Sequence, residues 1–144
     1  MGLCIYATNS SMEFNLGYGQ FHNLRWNIAE ILDPKVGELY HQLASILIED
    51  TIYAERELQK ILSDDDKFPD EEVSGILDFL FASDCEAKIS YKACKQVYDL
   101  IKDVDFEDKC FQYVAYRKHG ESDYELFKKF LKECYSHHRY MRWN

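Results

Sequence analysis

No run of apolar residues in this chain approaches the ~18 that a bilayer-spanning helix requires, so no membrane partner is expected. Proline occurs twice and glycine six times, a sparseness of turn-formers that suits helices better than a succession of short strands. The five cysteines, Cys4, Cys85, Cys94, Cys110 and Cys134, form no C-x-x-C pair, which argues against a zinc ribbon or a thioredoxin-type redox site. No secretory signal pattern is visible either, and the scattered thiols are expected to stay reduced in a cytoplasmic protein. G-x-S-x-G, H-E-x-x-H and a phosphate-cradling glycine-rich loop are all missing; Gly17-Tyr18-Gly19 is too short for such a loop and reads as a turn. Catalysis is accordingly not expected, and no catalytic residue, metal or cofactor is assigned. The opening Met1-Gly2-Leu3-Cys4 lacks the Ser or Thr that acylation wants at position 6, where Tyr6 stands.

What is present is a packed core in prospect. Apolar residues make up 47% of the 144 positions and aromatics 15%, including eleven tyrosines. A chain of this length forms one domain, residues 1–144, that buries roughly 68% of its unfolded surface. The net charge of −9 is unevenly spread: residues 1–63 carry −4, residues 64–108 carry −9 and residues 109–144 carry +4. An acidic middle and a basic tail can attract partners of opposite sign or pair with one another.

Hydrophobic periodicity defines the elements. Leu3 to Thr8 alternates as a strand, Asn9-Ser10-Ser11 turns, and Met12 to Leu16 is a second extended piece. Phe21, Leu24, Ile28, Ile31 and Leu32 share one face of a helix over Gln20 to Asp33, which Pro34 ends. Val36, Leu39, Tyr40, Leu43, Ile46 and Leu47, then Ala54, Leu58, Ile61 and Leu62, make residues 35–62 one long helix or two joined near Asp50-Thr51. A helix from Phe68-Pro69-Asp70 buries Val73, Ile76, Leu77, Leu80 and Phe81, with Asp70, Glu71 and Glu72 at its positive end. Phe106 to Lys118 reads as helix, with Phe111, Val114 and Ala115 inward. Ser122-Asp123-Tyr124-Glu125 is a capping box opening a last stripe of Phe127, Phe130, Leu131 and Cys134. The ending S-H-H-R-Y-M-R-W-N reads as a short returning strand or a tucked tail. The expected fold is mainly α, a single compact domain of five to seven helices with a minor N-terminal β ribbon.

Ala82 to Asp103 is more specific than packing alone requires. A polar turn, Ser83-Asp84-Cys85-Glu86, leads through Ile89 to Ser90, which should cap a helix carrying Tyr91, Cys94, Val97, Tyr98 and Ile101 on one face. Asp84 is expected to anchor the turn by accepting backbone N–H bonds. Aligned as a calcium loop, the stretch offers Asp84, Glu86 and Ser90 but has alanine, at Ala82, Ala87 and Ala93, where a first ligand, a glycine and the bidentate carboxylate belong. The motif S-D-C-E-A-K-I-S-Y-K-A-C-K, the opening M-G-L-C-I-Y, the segment G-Y-G-Q-F-H-N-L-R-W-N-I-A and the ending F-L-K-E-C-Y-S-H-H-R-Y-M-R-W resemble a group of small uncharacterised bacterial and prophage proteins. Ala82 stands where that group has histidine, and Ala87 where glycine is usual. The resemblance implies a bacterial or mobile-element setting and no particular activity.

Three function classes fit. The preferred one is a small, acidic, cytoplasmic module that docks on another protein without catalysis, as anti-defence and toxin-immunity inhibitors do, its charge speeding encounter. The second is a small-ligand binder or enzyme using the Asp84–Ser90 turn, with Glu86 beside it and Tyr18 or Trp26 as walls. The third is a structural oligomer built by exposed aromatics. Nucleic-acid binding through Arg139, Arg142 and Trp143 of the basic, aromatic tail is weighed against an overall acidic chain. His22, His41 and His119 read as isolated. A concave pocket at the Asp84 turn would favour a ligand, and a flat acidic face a protein partner. Titration of fresh protein under denaturing, non-reducing conditions should find all five thiols free. A lower count, with air oxidation excluded, would mean that a disulfide exists.

Overall fold

The computed structural model describes residues 2–44, 48–106 and 122–144. Two strands, β1 (Gly2–Ala7) and β2 (Glu13–Gly17), form the expected ribbon, with Leu3 opposite Leu16 and Ile5 opposite Phe14. Helices follow as α1 (Tyr18–Leu32), α2 (Pro34–Leu43), α3 (Ile48–Leu62) and α4 (Asp70–Phe81). Then come β3 (Ala87–Ile89), α5 (Tyr91–Ile101), α6 (Asp123–Ser136) and β4 (Met141–Trp143). Six helices among the described residues and one small sheet make the fold mainly α with minor β. The helix expected over Phe106 to Lys118 and the positions of Ile46, Leu47 and Cys110 lie outside the described residues, apart from Phe106 itself, which is buried and stacked on Tyr124.

The ribbon is half of a four-stranded antiparallel sheet of order β2-β1-β4-β3. The chain's last strand enters between β1 and β3: Trp143 lies opposite Ile5 on one side and Ala87 on the other. One face of this sheet is fully buried, through Leu3, Ile5 and Ala7 of β1, Phe14 and Leu16 of β2, Ile89 of β3 and Met141 and Trp143 of β4. Aromatic rings join it to the helices. Phe14 meets Phe127 and Phe130 of α6 at 6.2 and 5.2 Å, and Trp143 meets Phe21 of α1 at 5.2 Å and Phe79 of α4 at 6.0 Å. Such edge-on pairs add about 0.5–1.5 kcal/mol each beyond their buried area.

Several local expectations are realised by named atoms. Asp33 ends α1 and caps α2, accepting the Lys35 N–H at 2.8 Å while Lys67 Nζ holds its other oxygen at 2.6 Å. Ser90 Oγ accepts the Ala93 N–H at 3.2 Å and so caps α5. Ser122 Oγ accepts the Glu125 N–H at 3.1 Å, but the Glu125 carboxylate pairs forward with Lys128 at 3.0 Å. Among the described residues this stretch holds two helices, and α2 already ends at Leu43, well before Asp50-Thr51.

Other expectations are corrected. Tyr18 and Gly19 belong to the first turn of α1, because Gly17 caps that helix and its N–H is held by Gln20 Oε1 at 2.7 Å. Within α4, Phe79 takes the core position, Leu77 is half-buried and Phe81 is 42% exposed. Ile89 starts no loop into α5 but sits in β3, a strand whose partner is more than fifty residues away. Only the sheet's closure supplies that partner.

Two glycines set helix spacing. A Cβ on Gly37 would lie 2.8 Å from the Glu30 Cα, so α1 and α2 approach at this point. At Gly75 a Cβ would lie 2.5 Å from the Ala93 Cα, and the Gly75 N–H donates to Gln96 Oε1 at 2.6 Å across the α4–α5 contact. Gly75→Ala should therefore lower stability by about 1–3 kcal/mol through overpacking. Gly19→Ala, at a helical position with open space, should not destabilise. Ser90→Ala should cost about 1 kcal/mol for the lost cap. Urea denaturation of the three variants checks all of these.

Candidate functional site

The first turns of α1, the C-terminal half of α2 and the segment after α4 enclose a concavity of about 300 Å³. Tyr18, Phe21, His22 and Arg25 line it from α1, where spacings of three and four residues put all of them on one face. Tyr40 and Leu43 enter from α2, and Phe81, Ser83 and Asp84 close the far side. Two contacts hold that far side in place: Trp143 Nε1–H donates to the Ser83 carbonyl at 2.8 Å, and Arg25 Nη1–H to the Ala82 carbonyl at 3.0 Å.

Arg25 is the unusual residue. It is 6% exposed, its guanidinium stands 4.9 Å over the Phe21 ring, and its Nε–H donates to the Tyr40 hydroxyl at 2.9 Å. Among the described residues no carboxylate lies within ion-pair distance of it. Its Nη2 has no protein partner there either, so three of the five guanidinium N–H donors of this cavity-lining residue are unspent. A buried cation without a counter-charge is costly, and removing it from water is repaid when an acceptor arrives. Tyr40 accepts from Arg25 and keeps its own proton, since burial pushes its phenol above the usual range. The site thus presents donors inward.

Beside Arg25, His22 stacks on Tyr40 at 5.6 Å, and its Nε2 stands 3.4 Å from His41 Nδ1. The two histidines that read as isolated in sequence are therefore neighbours. Burial, then His41 and then Arg25, lower the His22 pKa from its ordinary 6.5, with Asp84 opposing. His41 in turn stacks on Trp26 at 3.8 Å, so Trp26 backs the site from one ring further out and does not line it.

The residues singled out from sequence part company here. Tyr18 and Asp84 do line the concavity. Among the described residues Asp84 anchors no backbone N–H: the turn is held by Ser83 Oγ, which accepts from the Cys85 N–H at 3.2 Å, while Asp84 Oδ1 accepts from Cys85 Sγ at 3.4 Å. Glu86 is exposed and outside it, and Ser90 is spent on the cap. Trp143 is 1% exposed in the sheet and cannot stack on a base. Arg139 Nη1 donates to the carbonyls of Thr8 and Asn9 at the β1–β2 turn, and Arg142 is half-buried in β4. Arg139 and Trp143 are thus used by the fold itself. No three His, Cys, Asp or Glu side chains among the described residues converge as a metal would require.

A wider groove between α4 and α5, about 840 Å³, carries Val73, Ile76 and Leu100, and some of its polar groups are paired within the fold. Gln96 bridges Gly75 and Glu71, and Lys95 holds Asp99 at 2.9 Å. Arg25, His22, Tyr40 and Phe81 do not stand out in the sequence as site residues. The available signal was an arginine four residues after Phe21, inside the apolar stripe of α1. No protein-family model, curated protein or solved structure matches this chain. None of the described helices is long and apolar enough to cross a membrane.

Because the folded pKa of His22 lies below its unfolded value, the unfolded chain takes up a proton first as pH falls. The stability contributed by neutral His22 is whole above its ordinary value near 6.5 and declines below it until the folded pKa is passed. His22→Gln should flatten the fall in unfolding free energy between about pH 7.5 and about pH 5, measured by urea titration. An unchanged slope would remove His22 from the account.

Proposed function

We propose that this chain is a small-ligand-binding protein whose ligand occupies the concavity at Arg25. The observation that carries the reading is a nearly buried arginine, with donors that no described group accepts from, lining a cavity. A volume near 300 Å³ is at the small end of known ligand sites, which suits a metabolite-sized molecule. Tyr18 and Phe81, 40% and 42% exposed and both lining it, supply apolar surface for it to cover.

Protein docking, including the inhibitor role of mobile-element proteins, is the second reading. It is favoured by Ile52 and Tyr53, consecutive on α3 and 46% and 56% exposed. Under either reading the scattered thiols suit a reducing, cytoplasmic compartment.

A fragment screen followed by amide chemical-shift mapping tests the first reading. Shifts should cluster in Tyr18–Arg25, Tyr40–Ala44 and Phe81–Asp84, and Arg25→Met should weaken the polar hits about tenfold or more. If no fragment moves these segments, or the hits gather elsewhere, the site assignment falls.

A further inference from the structure

The concavity has charges of both signs that do not meet. Arg25 lies at its floor and Asp84 at its exposed edge, and no ion pair joins them. The Asp84 carboxylate accepts only the weak Cys85 thiol donor among the described groups, which leaves most of its acceptor capacity unused. Arg25 Nη2 and the Tyr40 hydroxyl proton are likewise unclaimed.

A purely anionic ligand seated on Arg25 would face the Asp84 charge in the same small space. A purely cationic one would face the arginine. With His22 neutral, its charged form disfavoured by burial, the two fixed charges balance. A molecule that carries both signs a few bonds apart answers both at once, because like-charge contacts are avoided and each ionic group gains a partner.

We propose that the ligand is an amino-carboxylate zwitterion of amino-acid size, with its carboxylate on Arg25 Nη2 and the Tyr40 hydroxyl and its ammonium toward Asp84. The body of the molecule lies against Tyr18, Leu43 and Phe81, which line the same cavity. This inference rests on the small-ligand reading and narrows it. Charge-assisted bonds of this kind are the strong ones in a partly buried site, so both ends should contribute measurably.

The twenty protein amino acids serve as probes, titrated calorimetrically near neutral pH, and the tightest is then compared with its deaminated and decarboxylated counterparts. At least one amino acid should bind with Kd below about 1 mM, and each counterpart should bind about tenfold more weakly or worse. Arg25→Met should cut the amino acid and its deaminated counterpart alike. Asp84→Asn, a change at an exposed position that leaves folding intact, should lower the amino acid to the level of the deaminated compound. Thermal melts of both variants establish that they are folded. A deaminated acid that binds as tightly as its parent overturns the zwitterion in favour of a plain anion site. Failure of all twenty, while neutral fragments still shift the cavity amides, overturns the zwitterion and leaves the ligand site standing.

Discussion

β4 is held on both edges. The last strand of the chain inserts between β1 and β3, with Trp143 opposite both Ile5 and Ala87, and closing bonds run from Cys4 N–H to the Asn144 carbonyl at 3.0 Å and back at 3.2 Å. Neither β1–β2 nor the three-residue β3 would be stable alone in water, since an isolated two-stranded ribbon is marginal at best. The inserted strand makes one sheet of three separate pieces of chain, and the sheet provides the floor against which α1, α4 and α6 pack. The Trp143 ring touches Phe21 and Phe79 at once, while its N–H fixes the Ser83 carbonyl. The same side chain therefore completes the core and positions one wall of the cavity.

The second constraint is electrostatic. Arg25 occupies a position on α1 that the helical period assigns to the core, and the fold accommodates it with a phenol, a carbonyl and an aromatic face in place of a carboxylate. Those neutral partners satisfy part of the guanidinium while leaving its charge uncompensated. Close approach of α1 and α2 at Gly37 brings Tyr40 into reach and sets His41 against His22. A bulkier residue at position 37 would part the helices at the site's foundation.

Much of the helical framework was legible in the chain alone, because it depends on local chemistry. The Asp33-Pro34 boundary, the Ser90 and Ser122 caps and the apolar stripes of α2, α5 and α6 follow from hydrogen bonds and side-chain spacings within a few residues. The β1–β2 ribbon is equally local, joined by a turn at Asn9, whose positive φ of 57° such a residue tolerates.

Tertiary structure alone decided where those elements meet. β3, three residues long, carries too little periodicity to be recognised without its partner, and the ending that reads as a returning strand or a tucked tail is decided as a strand, β4, by its pairing with β1 and β3. Arg139 and Trp143 look like ligands for nucleic acid in a linear reading and become a turn clamp and a core ring once the sheet closes. The cavity gathers Tyr18, Arg25, Tyr40 and Asp84 from positions up to 66 residues apart, a convergence that no short window contains. Residue types and local hydrogen bonding determine helices and caps, because both act over one or two turns. A site of opposed charges around a cavity depends on long-range contacts, and those exist only after the core has formed.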